Sequence, residues 1–190
     1  MKELEAKILR EGEVFPGGIL KVGSFLNQQI DVPFMMEMGQ EAKRLFAGEP
    51  ITKILTVESS GIAVGFAVAA AMGLPMVFAK KHKSLNLSDN LLRSSVFSFT
   101  HQTTYDIVVS NDYLTSSDVV LIVDDFLAKG NAIVGLLELC EQAGAKVAGA
   151  VVAVEKGFQG GGDLIREKGI RVEALARIES MSDDSVTFSN

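Results

Sequence analysis

Two adjacent carboxylates, Asp124 and Asp125, directly follow the unbroken apolar run of residues 119–123, and a small-residue stretch, Ala128, Lys129, Gly130, Asn131 and Ala132, comes just after them. Such an apolar run of β-formers reads as a strand buried on both faces of a parallel sheet, and open sheets of that kind bind ligands at the carboxyl ends of their strands. Ile133, Val134, Leu136, Leu137 and Cys140 then recur at helical spacing. The acids and Gly130 are therefore expected in a strand-to-helix turn, where backbone N–H groups and the positive end of a helix dipole favour a phosphate.

A second turn of the same kind follows the short apolar run at residues 51–57. It reads Glu58, Ser59, Ser60, Gly61 and leads into an apolar helix over residues 63–72, which is expected to pack deeply and which Gly73 and Pro75 end. A third strand, residues 76–79, is followed by Lys80, Lys81, His82 and Lys83, four potential cations at the same sheet edge. Together they are able to balance a pyrophosphate.

The remaining elements position these turns. Residues 1–10 form a small surface helix with Leu4 and Ile8 on one face. Residues 12–27 turn at Pro16, Gly17 and Gly18 and continue as an irregular apolar strip through Ile19, Leu20, Val22 and Phe25. Asp31 and Pro33 start a helix whose buried stripe is Phe34, Met38, Ala42 and Leu45. Leu85 and Leu87 alternate with polar residues, Asp89 and Asn90 follow, and Val96, Phe97, Ser98 and Phe99 continue the pattern. Residues 84–104 are thus expected as a projecting β-hairpin arm, and residues 106–110 as an edge strand. Residues 147–154 make another buried strand. After it come Glu155, Lys156, Gly157, Phe158 and Gln159, three glycines that loosen the chain at 160–162, a helix at 163–168 and a strand at 171–175. The β/α alternation predicts an α/β fold, a doubly wound parallel sheet.

Composition narrows the class of protein. A chain of 190 residues, 47% hydrophobic and 22% charged, suits one globular domain. The formal charge of −6 opposes a nucleic-acid-binding surface. The longest apolar run is too short for a membrane span, and Glu3, Glu5, Lys7 and Arg10 interrupt the start, so a cytoplasmic protein without membrane or nucleic-acid partners is expected. One cysteine allows no internal disulfide, and two distant histidines offer no metal-ligand spacing.

The two acids with their loop, the Glu58 turn, the lysine run and the Glu155 to Phe158 segment together resemble the type I phosphoribosyltransferases, most closely the xanthine-using members of the purine branch. The resemblance covers nearly the whole chain. It implies a single domain, residues 1–190, with a core at about 34–155 and a small hood from about 12–30 and 156–190. The implied reaction joins xanthine to the ribosyl group of phosphoribosyl pyrophosphate, giving xanthosine 5′-monophosphate and pyrophosphate. Mg²⁺ would enter mainly on phosphoribosyl pyrophosphate, with no direct protein ligand.

The resemblance also assigns roles. Asp124 and Asp125 hold the ribose, residues Ala128 to Ala132 the 5′-phosphate, and Glu58, Ser59, Ser60 and Gly61 the pyrophosphate. Lys81 completes a neighbouring subunit's pyrophosphate site in a homodimer formed through the arm. Leu20, Asn27, Lys156 and Phe158 bind the purine, with Asn27 facing C2 and Lys156 donating to the C6 oxygen. Where the family commonly has Thr-Gly-Gly-Thr this chain has Lys129 to Ala132, so backbone amides and the Asn131 side chain take up the phosphate. Guanine or hypoxanthine transfer is the nearest rival activity. A non-catalytic, phosphoribosyl-pyrophosphate-sensing purine regulator is a more distant one, since about fifty residues precede the first sheet strand, too few for a DNA-binding module as well as the hood.

Overall fold

The computed structural model describes residues 1–82, 90–98 and 103–189. Lys83, Leu85, Leu87, Asp89 and Phe99 lie outside them. Five strands run parallel in the spatial order β4(Met76–His82), β3(Lys53–Val57), β7(Val119–Leu127), β8(Lys146–Lys156) and β9(Val172–Met181). An antiparallel hairpin, β5(Leu91–Ser98) and β6(Thr103–Ser110), extends one edge, and β10(Val186–Phe188) extends the other antiparallel to β9. A small separate hairpin, β1(Glu13–Phe15) and β2(Ile19–Lys21), forms at the Pro16 turn.

Helices cover both sheet faces, as a parallel sheet requires. On one face α1(Lys2–Glu11), α2(Val32–Leu45) and α3(Gly61–Met72) bury Leu4, Ile8, Met38, Ala42, Val64 and Val68 against Leu121 and Val123. On the other, α4(Asn131–Ala143) and the short α5(Gly161–Glu167) bury Ile133, Leu136, Leu139 and Ile165 against Val120, Ile122 and Val152. Asp31 caps α2 by accepting from the Phe34 N–H at 3.2 Å. The same aspartate pairs with the nearly buried Lys7 at 2.8 Å, so the first helix is tied to the second.

Several sequence expectations change. The stripe of α2 is Met35, Met38, Gly39 and Ala42, with Phe34 and Leu45 only half-buried. Helix α3 is not buried all round, because Phe66 is 63% exposed. The strand expected at residues 76–79 runs on into the basic run, where Lys80 and Lys81 continue β4 and pair with Val108 and Ile107. Strand β6 lies inside the sheet, between β4 and β5, so β5 is the edge. Nor does the described part of the hairpin project freely, since the Ser94 hydroxyl donates to Glu138 of α4 at 2.6 Å and Gln142 bonds the Arg93 backbone. Finally, β9 joins the parallel sheet, so the chain beyond Lys156 supplies core strands as well as the segment next to the cleft.

Cys140 is buried on α4, and burial pushes its thiol up to about 12. A disulfide reagent at pH 8 is expected to leave it unmodified in the native protein and to titrate one thiol in denaturant. Rapid labelling of the native protein would show that α4 does not pack on the sheet in this way.

Candidate active site

Asp124 and Asp125 stand within the last turns of β7 rather than beyond it, because pairing with β8 continues to Leu127. The phosphate-type loop is thus short, Ala128 to Gly130, with Asn131 opening α4. Alternation along the strand sends the two acids to different neighbours. The Asn27 amide donates to Asp125 Oδ2 at 3.3 Å. Asp124 instead turns toward the second phosphate-type turn, where a Cβ on Gly61 would meet its Oδ1 at 2.8 Å and the Thr56 hydroxyl at 2.3 Å. Any larger residue at position 61 would push the Glu58 turn away from the acids.

Both acids are nearly buried, Asp124 at 5% and Asp125 at 7% exposure. Burial first, and the neighbouring Asp125 charge second, raise the Asp124 carboxyl well above the usual carboxylate range. The Asp125 N–H donates to Asp124 Oδ1 at 2.9 Å and, with the Lys81 charge, opposes that shift. The Lys81 charge therefore acts on Asp124 of its own chain. Its ammonium lies 5.1 Å from the Tyr105 ring, and its backbone N–H donates to Glu58 Oε1 at 2.6 Å, tying the Glu58 turn to β4. Ser59 and Ser60 lie in that turn, and the Ser60 side chain makes no capping bond to α3.

A cleft of about 520 Å³ opens in front of the loop. Its walls include Ala128 to Ala132, Lys156, Phe126, Tyr105 and Ile19. The Lys156 ammonium sits 5.6 Å from the Phe126 ring and donates to the Gly18 carbonyl at 2.8 Å. Burial lowers its pKa, and the cation still offers donors to the cleft.

Other expected site residues are placed differently. Leu20 is a core residue, packed with the α1 and α2 side chains, because the β1–β2 hairpin turns it inward and turns Ile19 toward the cleft. Phe158, 44% exposed, lies beside Gly18 on the short turn Gly157–Gln159 and does not line the cleft wall. The Asn131 amide donates to the Phe97 carbonyl at 2.7 Å and so holds the hairpin rather than facing the loop. Lys129 donates to the Gln159 carbonyl at 3.4 Å. Tyr105 and Phe126 were not singled out in the sequence. Tyr105 is one of many alternating hairpin residues, and Phe126 looked like the tail of a buried strand.

Comparisons with known proteins agree with this layout. A family model described as phosphoribosyl transferase domain matches residues 35–163. Proteins named xanthine phosphoribosyltransferase from Limosilactobacillus reuteri and from Bacillus cereus are each 52% identical over 99% of this chain, covering 98% and 95% of their own lengths. Among solved structures, the adenine phosphoribosyltransferase of Giardia lamblia complexed with 9-deazaadenine superposes with a TM-score of 0.77 at 25% identity, over 90% of this chain and 96% of that one. The enzyme of that type from Thermoanaerobacter pseudethanolicus shares the fold, with a TM-score of 0.74 at 21% identity, over 92% and 99% of the two chains. A loop, paired acids and a facing acid turn, all at one edge of a parallel sheet, thus stand in a chain half identical to xanthine enzymes over nearly its whole length, and the chain belongs to the phosphoribosyl transferase family.

Proposed function

We propose that the protein transfers the 5-phosphoribosyl group of phosphoribosyl pyrophosphate to N9 of xanthine, releasing pyrophosphate and forming xanthosine 5′-monophosphate in purine salvage. The observation that carries this reading is the full-length 52% identity to proteins named for that reaction. The geometry adds a chemical reason. A lysine donates and cannot accept, so Lys156 in the cleft suits a purine with an oxygen at C6 and not one with an amine there.

In the displacement at the anomeric carbon, the sugar becomes cation-like as pyrophosphate departs. Little covalent work falls to the protein, so positioning and charge compensation carry the rate. Backbone amides of the Ala128 to Ala132 segment hold the 5′-phosphate at the start of α4. Asp124 and Asp125 orient the ribose hydroxyls, and Asp125 is steadied by Asn27. The Glu58 to Gly61 turn and Lys81 flank the pyrophosphate. Among the described residues no three His, Cys, Asp or Glu side chains gather to hold a metal. Mg²⁺ would enter on phosphoribosyl pyrophosphate, whose oxygens supply its ligands, and the two buried aspartates add negative charge beside it. When bound, that ion contributes Lewis-acid stabilisation of the leaving group.

The reading extends to a homodimer in the cytoplasm. The exposed Lys81 and the 38% exposed Phe97 support a partner at the hairpin side; in such a dimer Lys81 would complete the neighbouring subunit's pyrophosphate site. Among the described residues no helix is long and apolar enough to cross a membrane.

Xanthine differs from hypoxanthine by an oxygen at C2, so its selection needs a donor there. The Asn27 amide has two hydrogens and gives one to Asp125; the other is the donor assigned to C2, from a residue that lines a pocket with Leu20, Val22 and Gln28 separate from the cleft wall that holds Lys156. Asn27→Ala is expected to weaken xanthine use by about 1 to 3 kcal/mol and hypoxanthine use much less. Lys156→Ala should impair xanthine, guanine and hypoxanthine together. Competition kinetics among the three bases decide this: equal losses for xanthine and hypoxanthine in Asn27→Ala would put the C2 donor elsewhere, and a wild-type preference for guanine would make the rival activity correct.

A further inference from the structure

The phosphate loop does not stand alone. Behind it lies the start of α5, and the Gly161 N–H donates to the Ala128 carbonyl at 3.1 Å. A Cβ on Gly161 would meet Ala128 O at 2.3 Å, Lys129 C at 2.5 Å and Gly130 N at 2.6 Å. All three are backbone atoms of the loop, so no side-chain rotation relieves the clash. Gly161 and Gly162 therefore serve close approach, and Gly160, with open space around it, supplies the left-handed turn at φ +77° that starts α5.

What holds α5 in place is a charge cluster built around one buried carboxylate, Glu155, with its partners partly exposed. Glu155, at the end of β8, is 0% exposed and accepts both arms of the Arg166 guanidinium, at 2.9 and 2.8 Å. Arg177 of β9 approaches the same carboxylate at 3.3 Å, and Asp163 takes Arg166 at 3.4 Å and Arg177 at 3.3 Å. Two cations thus face two carboxylates, and the fork geometry sets the orientation of α5. Gly162 lies against this pair, since a Cβ there would fall 2.0 Å from Glu155 Oε1. The sheet end is in this way linked through Arg166 to α5, and through Gly161 to the loop.

We infer that α5 is the positioning element of the 5′-phosphate loop, with Gly161 as the seat of the loop backbone and the Glu155, Arg166, Arg177 and Asp163 cluster as the lock that keeps α5 against it. This rests on the reading of the loop as the phosphate site. Neither Gly161 nor Arg166 touches substrate in this arrangement; each acts through the loop. The segment Lys156 to Gln159 leads directly into α5, so the lock also keeps the base side and the phosphate side of the cleft in register.

The test is steady-state kinetics with both substrates varied, together with thermal melting, on the full chain. Gly161 sits at the start of a helix, where alanine is favoured over glycine by about 1 kcal/mol, so helix propensity alone predicts an unharmed or stabilised protein. The expected result is the opposite for one substrate: in Gly161→Ala the KM for phosphoribosyl pyrophosphate rises about tenfold or more, while the KM for xanthine moves less than about threefold. If that variant does not fold, Arg166→Lys keeps the charge but loses the fork, and a rise of about threefold in the same KM is expected, reversed when arginine is restored. A folded Gly161→Ala, or an Arg166→Lys with a lowered Tm, that retains the wild-type KM for phosphoribosyl pyrophosphate overturns the inference. Wild-type protein that neither binds nor consumes phosphoribosyl pyrophosphate would overturn the reading of the loop itself, and this inference with it.

Discussion

Gly130→Val weakens phosphoribosyl pyrophosphate binding on the order of 100-fold and leaves a folded protein, the loss expected when about two charge-assisted amide bonds to a phosphate are withdrawn. Gly130 holds φ +86°, a left-handed conformation that a β-branched residue adopts only with strain of about 1 to 3 kcal/mol. Its Cβ would also fall 3.2 Å from the Gly161 carbonyl. The loop has no space to yield on that side, so it shifts toward the phosphate position. Core side chains are untouched, which is why the fold survives. Titration of the variant with phosphoribosyl pyrophosphate and Mg²⁺ is the measurement, with circular dichroism to confirm folding. Wild-type affinity in a folded Gly130→Val protein would remove the loop from the site.

Asp124→Asn is expected to stabilise the protein and to cost activity, on the order of 100-fold in kcat/KM. The carboxyl is buried beside a second acid, and its pKa is raised in the folded state. A raised carboxyl pKa means that the native state binds the proton more tightly than the unfolded chain. The wild-type stability it supports is then complete below the unfolded value of 3.8 and declines as pH rises through the folded value. Asparagine keeps an oxygen for the Asp125 N–H and carries no charge. The Tm gain of the variant should therefore be largest near neutral pH and vanish toward pH 4, at about 2 to 4 °C for each kcal/mol relieved in a chain of this size. Melting curves of both proteins from pH 4 to 8 test the sign. A variant less stable than wild type at pH 7 would mean that Asp124 is held as a paired carboxylate instead.

Both strand-to-helix turns and the β/α alternation of the parallel sheet were legible because their signals are local. Residues 119–123 form a short, mostly β-branched apolar run, which reads as a strand covered on both faces; the glycines of the turns follow within a few positions. The capped start of α2 was equally plain, since Asp31 and Pro33 act on the backbone next to them. That β4 runs on through Lys80 and Lys81, past the strand expected at residues 76–79, was not legible for the converse reason. Nothing in Lys-Lys-His states that β6 will pair with it, and that pairing is a contact between distant segments.

The chain by itself determined which chemistry is available: two acids, two strand-to-helix turns, and a lysine and an asparagine able to donate hydrogen bonds, in an α/β order that puts strand ends together. Only the tertiary structure decided which way those groups face. Leu20 and Ile19 are neighbours in sequence, and the hairpin sends one into the core and the other to the cleft. Asp124 and Asp125 look alike in sequence, yet one is pressed against the Gly61 turn and the other meets Asn27. The glycines at 160–162 read as slack until the loop was found resting on one of them. Residue type and local spacing set propensity within a few residues, whereas burial, desolvation and close approach arise between segments far apart in the chain, and those distances exist only once it has folded.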